Sequence, residues 1–577
     1  MRQLNKLLKY CSEIFTREEN RGIVALSGLS VLSAVLEILT VGGIVPFINL
    51  FIQGEAGLDG RLLDFLRTLG GFFGSGNLIL FIGTALIAVS LLKIGLNLYL
   101  VYAQARLATG IQTRLASRLL SDYAMHDYQF HVSSNSAALV KNVTVETANT
   151  YFFVGSLIKL IMNAIMVLAM LGFLLYVDYK ITLGIAIFFT GLMLASVNAV
   201  SPKAKALGYE REDITRTTHK LSYQILRGIK EIKVSKTEDF FISAFTAVMN
   251  RLVPVGASFV TLSSAPRFVL EMLVYAGGIG LLMTVSHLWG SDKAFLGLFV
   301  AFLAAIYKLA PAFSAISSSA IEIRYAIPSL EIISAAIRTA AAITPSPALQ
   351  KVDTIRDIRL EAAGFSYGST DILKNVTLEI KKGEKIAVLG KTGTGKSTFN
   401  NLLTGLLAPT SGKVLADGRS LSDIDPFSLA RIIGYLPQDF MILDDSIRAN
   451  VAFGLTCAAG DEERMREILN AVHLGRFAEN LGQPVGEDGS MLSGGERQRL
   501  AIARLLYKRP ELVILDEITS ALDERTEDAI LSEILEVFKE KTVIMVTHSL
   551  RIVEKFDGVY TIENKSISKG EKTSQPG

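Results

Sequence analysis

Between an apolar run, Lys385-Ile386-Ala387-Val388-Leu389, and a helix-like run, Thr398–Leu406, lies Gly390-Lys391-Thr392-Gly393-Thr394-Gly395-Lys396-Ser397. The stretch fits G-x-x-x-x-G-K-[ST], a loop whose glycines let backbone N–H groups point inward at phosphate oxygens. A helix starting there adds positive dipole character. Lys396 would reach the β- and γ-phosphates of a nucleotide, and the Ser397 hydroxyl would ligate Mg²⁺. A glycine-rich turn with an incidental lysine would not also be flanked by a strand and a helix. Downstream, Leu512-Val513-Ile514-Leu515 ends in Asp516-Glu517. A buried strand there would deliver both acids beside the loop. Asp516 would hold Mg²⁺ through water, and Glu517 would polarise an attacking water.

This loop occupies only part of a 577-residue chain, half of whose residues are hydrophobic. Long apolar runs crowd residues 22–320, whereas 350–577 read as a soluble α/β domain. Basic and acidic residues nearly balance, 58 against 55, which argues against bulk nucleic-acid binding. Cys11 and Cys457 stand far apart, so no disulfide framework or cysteine metal site is expected. Six membrane spans are predicted, at 22–51, 77–105, 150–177, 180–200, 265–288 and 293–316. The first is too long for a signal-peptide core. Its basic flank (Arg2, Lys6, Lys9, Arg17, Arg21) places the N-terminus in the cytoplasm. Leu62–Leu69 reads as a small amphipathic helix at the outer surface, and Asp178-Tyr179-Lys180 as a tight external turn. The polar intervals 106–149 and 201–264 have helical spacing and few breakers, so they are expected to carry the helices on into the cytoplasm.

Charges within the spans are costly unless they face water or a partner. They are Glu37, Lys93, Lys159, Arg267, Glu271 and Lys308. Lys159 can snorkel to a headgroup, and Arg267 can pair with Glu271 four residues on. Lys93, Arg267 and Lys308 form a candidate cationic lining for an anionic cargo.

Leu492-Ser493-Gly494-Gly495-Glu496 falls between the loop and the acidic strand. LSGGE in that position is the signature of ATP-binding cassette (ABC) transporters, and residues 355–567 resemble their nucleotide-binding domain throughout. The resemblance implies a six-helix membrane domain of exporter type fused to an α/β P-loop NTPase domain. The expected boundaries are 1–320 for the membrane domain, 321–354 for a linker, 355–567 for the nucleotide-binding domain and 568–577 for a polar tail. Gly390 to Ser397 and Thr398 would cradle ATP. Tyr367 would stack on adenine, and Gln438 would touch Mg²⁺ and water. Ser520–Asp523 looks like the D-loop, and His548 like the histidine facing the γ-phosphate. Departures are mild: Glu496 where glutamine is common, Ile518 after the acidic pair, and Ser549 after the histidine. Family ATP sites lie between the P-loop of one domain and the signature (Ser493, Gly494, Gly495, Glu496) of another. One cassette per chain therefore implies a homodimer, in a bacterial-type inner membrane with the cassettes in the cytoplasm. Segments around His126–Val132 and Arg227–Phe240 would couple the two domains.

Asp178–Thr182, Ala265–Glu271 and Tyr307–Pro311 resemble segments of bacterial flippases for lipid-linked oligosaccharides. That implies an undecaprenyl-pyrophosphate-linked glycan moved from the inner to the outer leaflet, with Lys93, Arg267 and Lys308 suited to its pyrophosphate. A multidrug exporter and a lipid A or phospholipid flippase are the alternatives on the same architecture.

Overall fold

The computed structural model describes residues 2–54, 60, 63–64, 66–68, 78–177, 179–288, 293–341, 349–456, 460–518 and 524–570. The chain divides into two compact units, Met1–His126 with Ser133–Thr344, and Asp127–Val132 with Pro345–Gly577.

The first unit is helical. In chain order its elements are α1 (Arg2–Ile14), α2 (Arg17–Gln53) and α3 (Leu78–Ala124), then α4 (Tyr128–Ser133), α5 (Ser136–Lys141) and a π-helical turn (Asn142–Glu146). Next come α6 (Thr147–Val177), α7 (Tyr179–Arg227), α8 (Ile229–Ser235), α9 (Glu238–Asn250), α10 (Leu252–Leu288) and α11 (Lys293–Ala341). Of these, α4 falls almost wholly in the second unit. Every predicted span lies on a long helix. Among the described residues, five helices are long and apolar enough to cross a membrane. The sixth predicted span, on α11, is not among the five. The polar intervals are helical as expected, with α3 running on to Ala124 and α7 to Arg227. Of the Leu62–Leu69 stretch, residues 63–64 and 66–68 are described and are helical, whereas Asp178, Cys457 and residues 342–348 of the expected linker lie outside the described residues.

Local chemistry explains where these helices start. Thr16 caps α2 in a capping box with Glu19, satisfying two otherwise orphaned N–H groups. Arg114 of α3 then forks onto the same Glu19 at 2.6 and 2.8 Å and donates to the Ile14 carbonyl at 2.7 Å. That bidentate pair fixes α3 against the α1–α2 corner. Helix α11 packs on α6, α7 and α10. Phe313 stacks on Phe189 at 5.2 Å, and Tyr325 on Phe259 at 3.8 Å.

The second unit is α/β. Its strands are β1 (Asp357–Tyr367), β2 (Thr370–Lys381), β3 (Lys385–Leu389), β4 (Ser411–Ala416), β5 (Arg419–Ser420), β6 (Ile433–Leu436), β7 (Leu512–Asp516), β8 (Thr542–Thr547), β9 (Gly558–Glu563) and β10 (Ser566–Lys569). Its helices are α12 (Lys396–Leu403), α13 (Pro426–Ile432), α14 (Ile447–Ala452), α15 (Asp461–Ala471), α16 (Gly494–Lys508) and α17 (Glu524–Val537). A four-stranded antiparallel sheet, β2-β1-β4-β5, sits beside a six-stranded sheet ordered β10-β9-β3-β8-β7-β6. Strands β7 and β8 are buried at every position, as parallel strands covered on both faces must be. One apolar cluster gathers Ile386, Val388, Phe399, Ile514 and Val546. The other gathers Ala387, Leu389, Val513, Leu515 and Met545, which alternate with the first along the same strands.

Candidate active site

Parallel register brings the sequence motifs to one edge. Leu389 of β3 lies opposite Thr547 of β8, Asp516 of β7 opposite Val546 of β8, and Leu436 of β6 opposite Leu515 of β7. The residues that follow those strands are Gly390, His548, Glu517 and Pro437-Gln438. All emerge at the C-terminal edge of the sheet, where open α/β sheets bind ligands.

The phosphate loop turns through Gly393 at φ +83° and Gly395 at φ +102°, backbone angles that L side chains rarely adopt. A Cβ at Gly395 would also press on Ile372 and Leu373 at about 3 Å. Helix α12 begins at Lys396, whose side chain is buried. The Lys396 ammonium donates to the Gly390 carbonyl at 2.7 Å and pairs with the Glu517 carboxylate. The two residues assigned to phosphate binding and to water activation are therefore in contact. Ser397, Lys391, Thr392 and Gly393 are exposed, and Thr394 donates to the Lys391 carbonyl at 2.8 Å, closing the loop.

Asp516 is buried at the end of β7 and accepts from the Tyr435 hydroxyl at 3.2 Å. Burial pushes its carboxyl above the usual range, with Asn400, Tyr435 and Lys396 pulling the other way. Burial and the Asp516 charge together push the Tyr435 phenol up. Sequence reading missed Tyr435 and the fully buried Asn400. Only their adjacency to motif residues could have flagged them.

Gln438 and His548 are exposed at the same edge. Tyr367 ends β1, half-buried and edge-on to Phe365 at 4.9 Å. Ser493 caps α16 in a capping box with Glu496, and Arg476 pairs with Glu496. Burial raises the Glu496 carboxyl, but hydrogen bonds from Ser493 and the charges of Arg476 and Arg499 leave it below the usual range. Gly494 and Gly495 therefore open a helix start whose one nearby acid is already committed. Ser520–Asp523 lie outside the described residues.

In the helical unit two of the three candidate cargo residues, Lys93 and Arg267, are already partnered. Lys93 on α3 pairs with Glu37 on α2 at 2.9 Å, both side chains largely buried. Arg267 and Glu271 pair at 2.8 Å along α10, with 69% of the arginine side chain exposed. The expected arginine–glutamate pair is therefore present. Lys93, expected as a free cation in the lining, has a carboxylate of its own, because an unpaired charge at that depth is too costly. Lys159 is exposed. The Lys308 side chain lies outside the described residues.

A nucleotide-binding edge of this build, fused to a bundle of long apolar helices, defines an ATP-hydrolysing half-transporter. Residues 373–520 match the family described as ABC transporter, and the C-terminal unit is an ABC transporter ATPase domain. The whole chain is similar to the "ATP-dependent lipid A-core flippase" of Ralstonia nicotianae, 28% identical over 82% of this chain and 81% of the relative. It is also similar to the protein of that description from Burkholderia orbicola, 27% identical over 93% and 90%. Its fold matches a bacterial Atm1-family ABC exporter solved with ATP bound, with a TM-score of 0.76 over 96% of this chain and 95% of that one, at 19% identity. The resemblance to oligosaccharide flippases gains no support from these comparisons.

Proposed function

We propose that the chain is one half of a homodimeric, ATP-driven flippase for an anionic glycolipid of the lipid A-core class. It would move this lipid from the inner to the outer leaflet of a bacterial inner membrane, with the ATPase domain in the cytoplasm. The observation that carries this reading is the extent of similarity. The relatives described as lipid A-core flippases align over up to 93% of the chain, the helical unit included, rather than over the cassette alone. The reading displaces the lipid-linked oligosaccharide expected from short membrane-segment strings, and it keeps the requirement for cations that can meet phosphate. Arg267, exposed and balanced by one carboxylate, has the planar fork for that task.

The ATPase chemistry follows from the edge geometry. Backbone N–H groups of Gly390–Ser397 and the start of α12 would hold the phosphates. A γ-phosphate would compete with Glu517 for Lys396, releasing the carboxylate to take a proton from water. Ser397, Gln438 and Asp516 supply the oxygen donors that suit Mg²⁺, and the buried, disfavoured charge of Asp516 fits a cation partner. When bound, Mg²⁺ would supply charge compensation for the phosphates. His548 would face the γ-phosphate, and Tyr367 the adenine. Ser493–Glu496 of one chain would close the site of its partner.

The test is ATP-dependent flipping in proteoliposomes, with fluorescent lipid A-core, a fluorescent lipid-linked oligosaccharide and a lipophilic dye compared. Lipid A-core should flip and stimulate ATP hydrolysis. Flipping of the oligosaccharide lipid or the dye without lipid A-core would overturn the assignment.

A further inference from the structure

Glu517 occupies a position that its backbone does not favour. Its φ is +46°, in the left-handed region that a non-glycine residue rarely adopts. Such a turn persists only when its surroundings hold it. One hold comes from the sheet, where the Glu517 N–H donates to the Val546 carbonyl at 2.9 Å. The other comes from a different element. Gln498, on the buried face of α16 and 4% exposed, donates its side-chain amide to the carbonyl of Ile518, the residue directly after Glu517. A primary amide this deeply buried is unfavourable unless bonded, and an apolar side chain would fill the space at less cost.

From this geometry we propose that Gln498 is a positioning residue for the Glu517 carboxylate. It fixes the peptide after Glu517, so the placement of the carboxylate depends on the orientation of α16. The first turn of α16 is Gly494-Gly495-Glu496, capped by Ser493. On the reading above, this segment touches the ATP held by the partner chain. Gln498 then makes water activation at a chain's own site respond to whether its signature segment is engaged at the other site. The inference rests on Glu517 as the water-activating group and on shared sites.

The experiment uses the full-length dimer in nanodiscs. Gln498→Met keeps the volume and removes the donor. Displacing a reacting group by about 1 Å costs on the order of 100-fold. A loss of at least about tenfold in kcat is expected, with the KM for ATP within about twofold and the melting temperature little changed. In a Glu517→Gln background, Gln498→Met should lower the residual single-turnover rate no further, since the carboxylate it positions is already gone. Should Gln498→Met fail to fold, Gln498→Asn, one methylene too short to reach the Ile518 carbonyl, replaces it. A wild-type kcat overturns the proposal. So does a parallel loss of kcat, ATP affinity and stability that adds to the Glu517→Gln defect, because that marks a merely structural role. Near-wild-type hydrolysis by Glu517→Gln alone is a separate result and removes the underlying assignment instead.

Discussion

Two lysines, one in each unit, are buried to a similar depth and held in different ways. Lys141, at the start of the π-helical turn in the helical unit, is 3% exposed and pairs with Glu146 at 3.0 Å and Glu212 at 2.7 Å. Lys396, at the start of α12, is 7% exposed and has one carboxylate, Glu517, and one backbone carbonyl, that of Gly390. The first cation is enclosed by two fixed carboxylates from α7 and the π-helical turn, so it holds helices together. The second sits on a glycine loop at the open edge of a sheet, where, on the proposed function, a phosphate would displace its carboxylate partner. Burial of a charge does not separate the two roles. The exchangeability of its partners does.

Breaking each site should therefore damage a different property. Glu517→Gln should lower ATP turnover by on the order of 10³-fold while ATP still binds, because general-base catalysis is lost and the fold is kept. Phosphate release and bound nucleotide, measured together, check this. Near-normal turnover would remove Glu517 from its role. Lys141→Ala should instead cost about 3–5 kcal/mol of stability, since Glu146 and Glu212 would be left with an uncompensated buried charge. Replacing all three by Met, Gln and Gln should recover most of that loss. Thermal unfolding of the detergent-solubilised protein is the measure, and a neutral Lys141→Ala would sink the distinction between the two lysines.

The ATPase edge was legible in the sequence because each of its parts is a local string on a parallel strand. Gly390–Ser397, Asp516-Glu517 and His548 each follow an apolar run, and parallel register brings the strand ends together. What the strings could not show was contact at a distance: Lys396 with Glu517, Tyr435 with Asp516, and Gln498 with Ile518. In the helical unit the long helices were legible from apolar length and polar helical spacing. The Arg114–Glu19 and Lys93–Glu37 pairs were not, because helix–helix register is set by packing rather than by any local signal. Arg267–Glu271 was legible because both residues lie on one helix, four positions apart.

Asp516 sharpens the comparison from the other side, as a buried charge that costs stability. Its folded carboxyl titrates above its ordinary value because of burial. The ionised form is therefore disfavoured in the fold. The penalty is absent below the unfolded value, near about 4, and is complete once the pH exceeds the raised folded value. Asp516→Asn should raise the melting temperature of the nucleotide-free protein at neutral pH while lowering Mg²⁺-dependent hydrolysis. Its stability advantage over wild type should shrink as the solution is acidified. A variant less stable than wild type at neutral pH would contradict the sign.

The smallest effect on folding is expected at Arg267, and this separates cargo recognition from structure in the helical unit. Its pair with Glu271 is exposed on both sides, 69% and 45%, unlike the Lys93–Glu37 pair at 14% and 9%. Exposed pairs contribute about 0–1 kcal/mol, whereas removing one partner of a buried pair strands the other. Arg267→Ala should thus leave melting temperature and basal ATP hydrolysis nearly unchanged, and Lys93→Ala should lower the melting temperature. If a glycolipid phosphate competes with Glu271 for the guanidinium, Arg267→Ala should still impair flipping. Arg267→Lys should restore it only in part, because an ammonium cannot reproduce the two-pronged contact. Flipping and ATP hydrolysis measured on the same proteoliposomes decide the matter. Normal flipping by Arg267→Ala would confine this arginine to the surface pair seen here and shift the search for the phosphate contact to Lys93 and Lys308.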